Sequence, residues 1–342
     1  MKKLYILAIL ALIFGSCKTN LVYIKVIDPA PVTVPGYVKT IGILNRSIPS
    51  DANKALNTVH LFNTAEGAEM AKEGSAEAIR GLKDALMENT RFAQITVLDS
   101  IHLFCQGAGL FNSPLSWEEV ETMCKTNNLD ALFVLELFDT ELKVSPLAPA
   151  VPRPGMALQL PRIEVNMNTT VKTGWRIYVP RDRFIPDQCT PSYSLTHTAS
   201  GSSLGSATEA LIGRKEAVKQ VANKAGHGYA NRILPYWIRV NREYFIKGNY
   251  SFKMAMRKAR TGNWDGAAAL WEAETHNAHN KIAGRACYNM AIISEINGDL
   301  DKAIQWAQIA YEEHGTRLSL RYINQLKWRK TEMERLKSQQ PQ

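Results

Sequence analysis

The sequence predicts an α+β chain: an N-terminal α/β domain, sandwich-like with a mixed sheet, followed by an all-α domain of helical repeats. Three observations carry this expectation. Between residues 39 and 138, short apolar runs alternate with stretches of helical period. From 163 to 179 the apolar residues fall on every second position, as in a long strand with one buried face. Near the C-terminus, Ala255, Gly262, Asp265 and Ala267 recur as Ala291, Gly298, Asp301 and Ala303, each 36 residues on. A fixed period of that length marks a repeated supersecondary unit.

A chain of 342 residues is long enough for two domains, and 45% apolar residues is ample for two cores. The formal charge of +9 is spread along the chain and comes with no recognition-helix, RNP or zinc-finger pattern, so nucleic acid is not an expected partner.

In chain order, Lys2 and Lys3 precede an apolar run from Leu4 to Phe14. Eleven residues of helix rise about 16 Å, roughly half of a hydrocarbon core, so this is an export leader and not a membrane span. Gly15 and Ser16 stand directly before Cys17, and this group resembles the lipobox of bacterial lipoproteins. The departure is Phe14, where leucine is commoner. The resemblance implies cleavage after residue 16 and acylation of Cys17, which makes the membrane a partner through a lipid anchor. Lys18 in place of an aspartate implies the outer membrane. No later stretch approaches 18 apolar residues.

Residues 17–38 are expected as a lipidated start and an extended linker, since Pro29, Pro31 and Pro35 oppose a helix. The α/β domain is expected over 39–246. Lys39–Leu44 reads as a buried strand, 65–89 as an amphipathic helix bearing Ala68, Ala71, Ala78, Ile79, Leu82, Ala85 and Leu86, and 94–98 as a second strand. Ser116 with Glu119 three residues on forms a capping box for a further helix. Ala131–Phe138 is a nearly continuous apolar run, and alternation continues to Val144. The segment 145–161 holds five prolines and reads as a loop. The strand over 163–179 and the alternation at Tyr193, Leu195 and His197 complete an antiparallel meander. One long helix is expected over 205–233, stopped by Pro235, with Ala210, Leu211, Ala217, Val218, Val221, Ala222, Ala225, Tyr229 and Ile233 on one face. Tyr236–Ile246 reads as a last strand.

The order of these elements, carried by Ile41-Gly42-Ile43-Leu44, Phe92–Leu98 and Leu129–Val134, resembles the α/β domain of envelope lipoproteins such as the curli secretion-channel subunit and the activators of penicillin-binding proteins. With Pro29-Ala30, Asn45-Arg46-Ser47 and the C-terminal echo, the chain is similar to uncharacterised repeat-bearing lipoproteins of Bacteroidetes type. That resemblance implies no catalytic residue.

The second domain is expected over 247–342. Gly262 and Gly298 end helices where left-handed backbone is needed, Asn263 and Asp299 cap the next helices, and Asp265 and Asp301 suit the dipole of their first turns. The alanines allow close helix approach, and Trp264, Trp271, Ile304 and Trp306 fill the remaining space. The pattern resembles tetratricopeptide (TPR) repeats, which implies a concave surface for protein partners. Two repeats need a cap, and a helix over 317–337 with Leu318, Tyr322, Ile323, Leu326, Met333 and Leu336 suits that role. Its seven Lys/Arg against two Glu read as a solvated basic face.

Candidate chemistry is sparse. Gly201-Ser202-Ser203-Leu204-Gly205 matches G-x-S-x-G, but the preceding strand is polar and half-exposed, and the serine-rich flanks read as a connection. His276 and His279 lack a third metal ligand at a recognisable spacing. Gly107 and Gly109 lack the third glycine of a dinucleotide fingerprint. Cys105, Cys124, Cys189 and Cys287 match no zinc or redox spacing and read as buried thiols. The expectation is a non-catalytic envelope lipoprotein without metal or cofactor, acting as a protein-interaction adaptor. The alternatives are a glycan or cell-wall binder, favoured if Trp175, Tyr178 and Tyr193 are exposed, and a serine hydrolase centred on Ser203.

Overall fold

A computed structural model describes residues 19–47, 65–98, 111–147 and 163–340. The leader, Cys17, Cys105, Gly107, Gly109 and most of the proline-rich loop lie outside the described residues. The strands are β1 (Thr19–Asp28), β2 (Thr40–Asn45), β3 (Gln94–Leu98), β4 (Ala131–Pro146), β5 (Ile163–Tyr178), β6 (Gln188–Cys189), β7 (Ser192–Gly201) and β8 (Tyr236–Phe245). The helices are α1 (Ala65–Met87), α2 (Trp117–Thr126), α3 (Leu204–Glu209), α4 (Arg214–Ala230), α5 (Tyr250–Arg260), α6 (Trp264–Glu272), α7 (Asn280–Ile296), α8 (Leu300–Glu312) and α9 (Arg317–Gln339). The fold class is α+β, with a mixed sheet first and a helical region after it.

Two compact units divide the chain. The first comprises Ala30–Pro235 with Ser338–Gln342. Its sheet runs β3-β2-β4-β5-β6, with β7 also on β5. β2 pairs parallel with β3 and β4, while β4–β5 and β5–β7 are antiparallel, so the meander forms as the alternation predicts. Because side chains alternate across a strand, each face of the sheet has its own core. Ile41, Ile43, Phe133, Leu135, Trp175 and Ile177 face α1 and α4, whereas Leu44, Leu132, Val134 and Tyr178 face α2. Ser116 caps α2 with the expected reciprocal bonds to Glu119.

α1 and α4 touch through backbone. A Cβ on Gly81 would stand 2.0 Å from the Asn223 carbonyl oxygen, and one on Gly226 would stand 1.8 Å from that of Ala78. Ala68, expected on the buried face of α1, is exposed. The single helix expected over 205–233 is two helices. Gly213 takes an extended N-cap conformation (φ −58°, ψ 141°) that restarts the chain as α4. Ala210 is consequently exposed and Leu211 half-buried, while the rest of the expected face is buried.

The expected linker over 17–38 is also different. Residues 19–28 form β1, and Ala30, Val32, Val34 and Val38 are buried in the α/β unit. Prolines deny this stretch ladder hydrogen bonds. Arg91 supplies donors in their place, to the carbonyls of Val38 (2.7 Å), Val34 (3.1 Å) and Pro35 (2.7 Å).

The second unit comprises residues up to Pro29 together with Tyr236–Lys337. β1 and β8 form a separate antiparallel ribbon, from Thr19 opposite Phe245 to Asp28 opposite Tyr236. β8 is therefore not a last strand of the mixed sheet. Val22, Ile24, Val26, Tyr244 and Phe245 pack in one core with α5–α9.

Candidate functional site

The echoed residues occupy equivalent positions in two helical hairpins, α5–α6 and α7–α8. Gly262 (φ +81°) and Gly298 (φ +82°) adopt the left-handed conformation between the paired helices. The Asn263 side chain accepts from the Gly266 amide at 2.9 Å, and Asp299 accepts from the Lys302 amide at 2.9 Å. Ala255, Ala267, Ala291 and Ala303 are fully buried, and Asp265 and Asp301 lie exposed in the first turns of α6 and α8. Of the residues expected to pack from the capping helix α9, Tyr322, Ile323, Leu326 and Leu336 are buried, whereas Met333 is 37% exposed.

The ribbon covers α7, the first helix of the second hairpin. Asn289 brackets the backbone of Phe245, accepting from its N–H (2.7 Å) and donating to its carbonyl (2.8 Å). The Phe245 and Tyr288 rings meet edge to face. Arg242 of β8 forms two bonds to Glu295 of α7, at 2.8 and 2.9 Å, and Arg329 and Tyr322 of α9 reach the same carboxylate. Burial raises the Glu295 carboxyl, but the bonds and charge of Arg242, the Tyr322 hydroxyl and the Arg329 charge outweigh it and hold the group below its ordinary value. The resemblance to TPR repeats implies an open surface on the helices. At α7 the chain's own strands occupy it. The basic face of α9 is partly neutralised: Arg321, Arg329, Lys330 and Arg335 pair with Glu243, Glu295, Asp301 and Glu332.

In the α/β unit a buried polar cluster stands where the parallel strand β2 ends. Ligands of α/β sheets often bind at such strand ends. Glu136 is the extra residue of a bulge in β4, between Leu135 opposite Trp175 and Leu137 opposite Gly174. The bulge re-aims its side chain. Its Oε2 accepts from Arg46 Nη1 (3.0 Å), and its Oε1 accepts from Arg176 Nη1 (2.9 Å) and the Tyr178 hydroxyl (3.1 Å). Arg46 also donates to the Ser113 carbonyl (2.7 Å), and Asn112 donates to the carbonyls of Arg46 and Glu136 (both 2.8 Å). Burial pushes the Glu136 carboxyl upward against the pull of both guanidiniums. With both oxygens engaged, the arrangement clamps the chain after β2 to β4 and β5. The sequence signal was a lone carboxylate inside Ala131–Phe138, since a buried charge demands a partner.

Asp187 anchors a second cluster. It accepts from the Tyr229 hydroxyl (3.0 Å) and from Arg232 (2.9 Å), and the Cys189 thiol lies at 3.4 Å. Burial, then the Asp187 charge, pushes that thiol up to about 12. Cys124, Cys189 and Cys287 are free, with Cys124 and Cys287 buried.

The aromatics whose exposure would favour a glycan binder are mostly core. Trp175 and Tyr178 are fully buried, Trp175 stacks on Tyr229 at 4.9 Å, and Tyr193 is half-buried. Trp175 and Tyr178 present no exposed ring face. Ser203 is the N-cap of α3, where its oxygen accepts from the Ser206 amide (3.1 Å) and its hydroxyl donates to Ser206 Oγ (3.1 Å). His279 stands at the N-cap position of α7 without a side-chain capping bond, and among the described residues His276 and His279 belong to no group able to hold a metal. No helix among them is long and apolar enough to cross a membrane.

Residues 38–245 match the family model described as "Domain of unknown function (DUF8603)", and residues 253–328 match that described as "Domain of unknown function (DUF6340)". No curated protein matches. Among solved structures, the chain is similar to a PelC dodecamer from Paraburkholderia phytofirmans, at 10% identity over 60% of this chain and 96% of that one, with a TM-score of 0.22. It is also similar to a putative neuraminyllactose-binding hemagglutinin homolog from Helicobacter pylori, at 10% identity over 68% and 94%, with a TM-score of 0.27.

Proposed function

The chain belongs to the DUF8603 family, and from its own residues we propose that it is an outer-membrane lipoprotein, anchored at Cys17, that serves as a non-catalytic protein-interaction adaptor of the cell envelope. The observation that carries this reading is the pair of TPR-like hairpins closed by α9. Such stacks bury a continuous core and leave long helix faces for other chains. The ribbon takes the face of α7, which leaves α9 as the partner surface. Leu320 is 46% exposed and Trp328 61% exposed, and both lie on one stripe with exposed Asn324 and Thr331. An exposed tryptophan beside a leucine is the kind of anchor that dominates protein interfaces.

A photo-crosslinking residue at Asn324 tests the reading in intact cells. It should capture a defined protein that the same residue at exposed Arg80 of α1 does not, and Trp328→Ala should lower the yield at least about tenfold, as for an interface hot spot. Equal capture from both positions, or no effect of Trp328→Ala, rejects the adaptor surface. The anchor is tested separately: Cys17→Ala should abolish palmitate labelling and release the protein from the membrane fraction.

A further inference from the structure

We propose that the outward face of the β1–β8 ribbon lies flat on the anionic lipid surface to which Cys17 tethers the chain; this deepens, and rests on, the anchor reading. Strand alternation sends Val22, Ile24 and Val26 into the core and turns Leu21, Tyr23 and Lys25 outward. On β8 it turns Trp237 and Arg239 to the same side. Trp237 is 68% exposed, Tyr23 66% and Leu21 47%. Tyrosine and tryptophan with lysine and arginine are the residues that settle at a membrane–water boundary, where ring bodies sit among the headgroups and cations meet phosphates.

The charge pattern favours an anionic occupant. Lys25 and Arg239 stand directly opposite each other in the ribbon register, and like charges so placed repel. Neither forms an ion pair among the described residues, whereas Glu243, the acid on this face, accepts from the Thr19 hydroxyl and pairs with Arg321. Lys25 and Arg239, with Trp237 and Ile238, line a shallow hollow of ≈ 390 Å³. An anionic headgroup seated there relieves the repulsion.

The tether places a bilayer at the face. Only Lys18 separates Cys17 from the start of β1. Two residue steps span at most about 7 Å, so the ribbon begins within headgroup distance of the acyl chains. Trp237, opposite Ile27, lies about 26 Å further along the strand at ~3.3 Å per residue. It reaches lipid only if the ribbon lies flat.

The test uses the acylated full chain in vesicles of phosphatidylcholine with phosphatidylglycerol, with and without brominated acyl chains. Bromine should quench part of the tryptophan emission, and Trp237→Phe should remove most of the quenchable share. Equal quenching of both proteins overturns the proposal. A second arm uses the chain lacking residues 1–16 and carrying Cys17→Ala, floated with the same vesicles at low and high salt. At low salt, Lys25→Gln and Arg239→Gln should each lower partitioning about fivefold, and at high salt the difference should vanish. Unchanged partitioning at low salt also overturns it. Mass spectrometry of the Cys17 peptide separates the two readings. No acyl group with intact ribbon-dependent flotation removes the anchor alone, and acylation without either ribbon effect removes the membrane-facing ribbon alone.

Discussion

Glu136 shows how a single residue sets local architecture. Its carboxylate is fully buried between Arg46 and Arg176, themselves 7% and 2% exposed. Removing the charge strands two guanidiniums away from water, so Glu136→Gln should destabilise the α/β unit by about 3–5 kcal/mol in urea melts. In the sequence it sits unremarked within an apolar run, because its partners come from 90 residues earlier and 40 later. Glu295 gives a pH signature. Its carboxyl has an ordinary value of 4.5 and a lower one when folded. Between those two values the unfolded chain takes up the proton and the folded chain does not. The contribution is therefore complete above about pH 4.5 and is lost as pH falls through the folded value. Acid titration of stability should be steeper below pH 4.5 in the native protein than in Glu295→Gln.

At the scale of elements, the hairpin turns and the α1–α4 crossing obey different rules. Gly262 and Gly298 have open space where a Cβ would go, but positive φ. Gly262→Ala and Gly298→Ala should each cost about 1–2 kcal/mol of pure backbone strain, nearly equal at both positions because the turns are the same. Gly81 and Gly226 are the reverse case, with ordinary φ but no room. The obstructing atoms are carbonyl oxygens of the facing helix, which no rotamer change can move aside. Gly226→Ala should therefore cost about 1–3 kcal/mol, whereas Gly213→Ser, at an open N-cap, should stabilise by a few tenths. Thermal denaturation of the four variants separates the two mechanisms. The hairpin glycines were legible in the sequence because capping chemistry is local. The crossing glycines were not, because a close approach involves the facing helix.

At the scale of the molecule, the helical unit is assembled from both ends of the chain, since β1 precedes the α/β unit and β8 follows it. A fragment of residues 236–337 lacks β1, and with it Val22, Ile24 and Val26 from the core. It should show weak, non-cooperative helicity by circular dichroism, and a peptide of residues 19–29 added in trans should restore a cooperative melt. An independently stable fragment would show that β1 is dispensable. What neighbours within a few residues decide is legible in the sequence: the strand and helix periods, the Ser116 capping box, the meander, the 36-residue echo and the left-handed glycines. The stretch read as a linker over 17–38 came out otherwise, since residues 19–28 form β1, and β8 packs with the helical unit although the family match runs to residue 245. Tertiary structure alone decided that β1 pairs with β8 across more than 200 residues, that this ribbon fills the face of α7, and that Trp175 and Tyr178 are core. The physical reason is that alternation shows that a strand has one dry face. It does not show which surface dries it, and that is settled only when distant segments compete to bury the same apolar area.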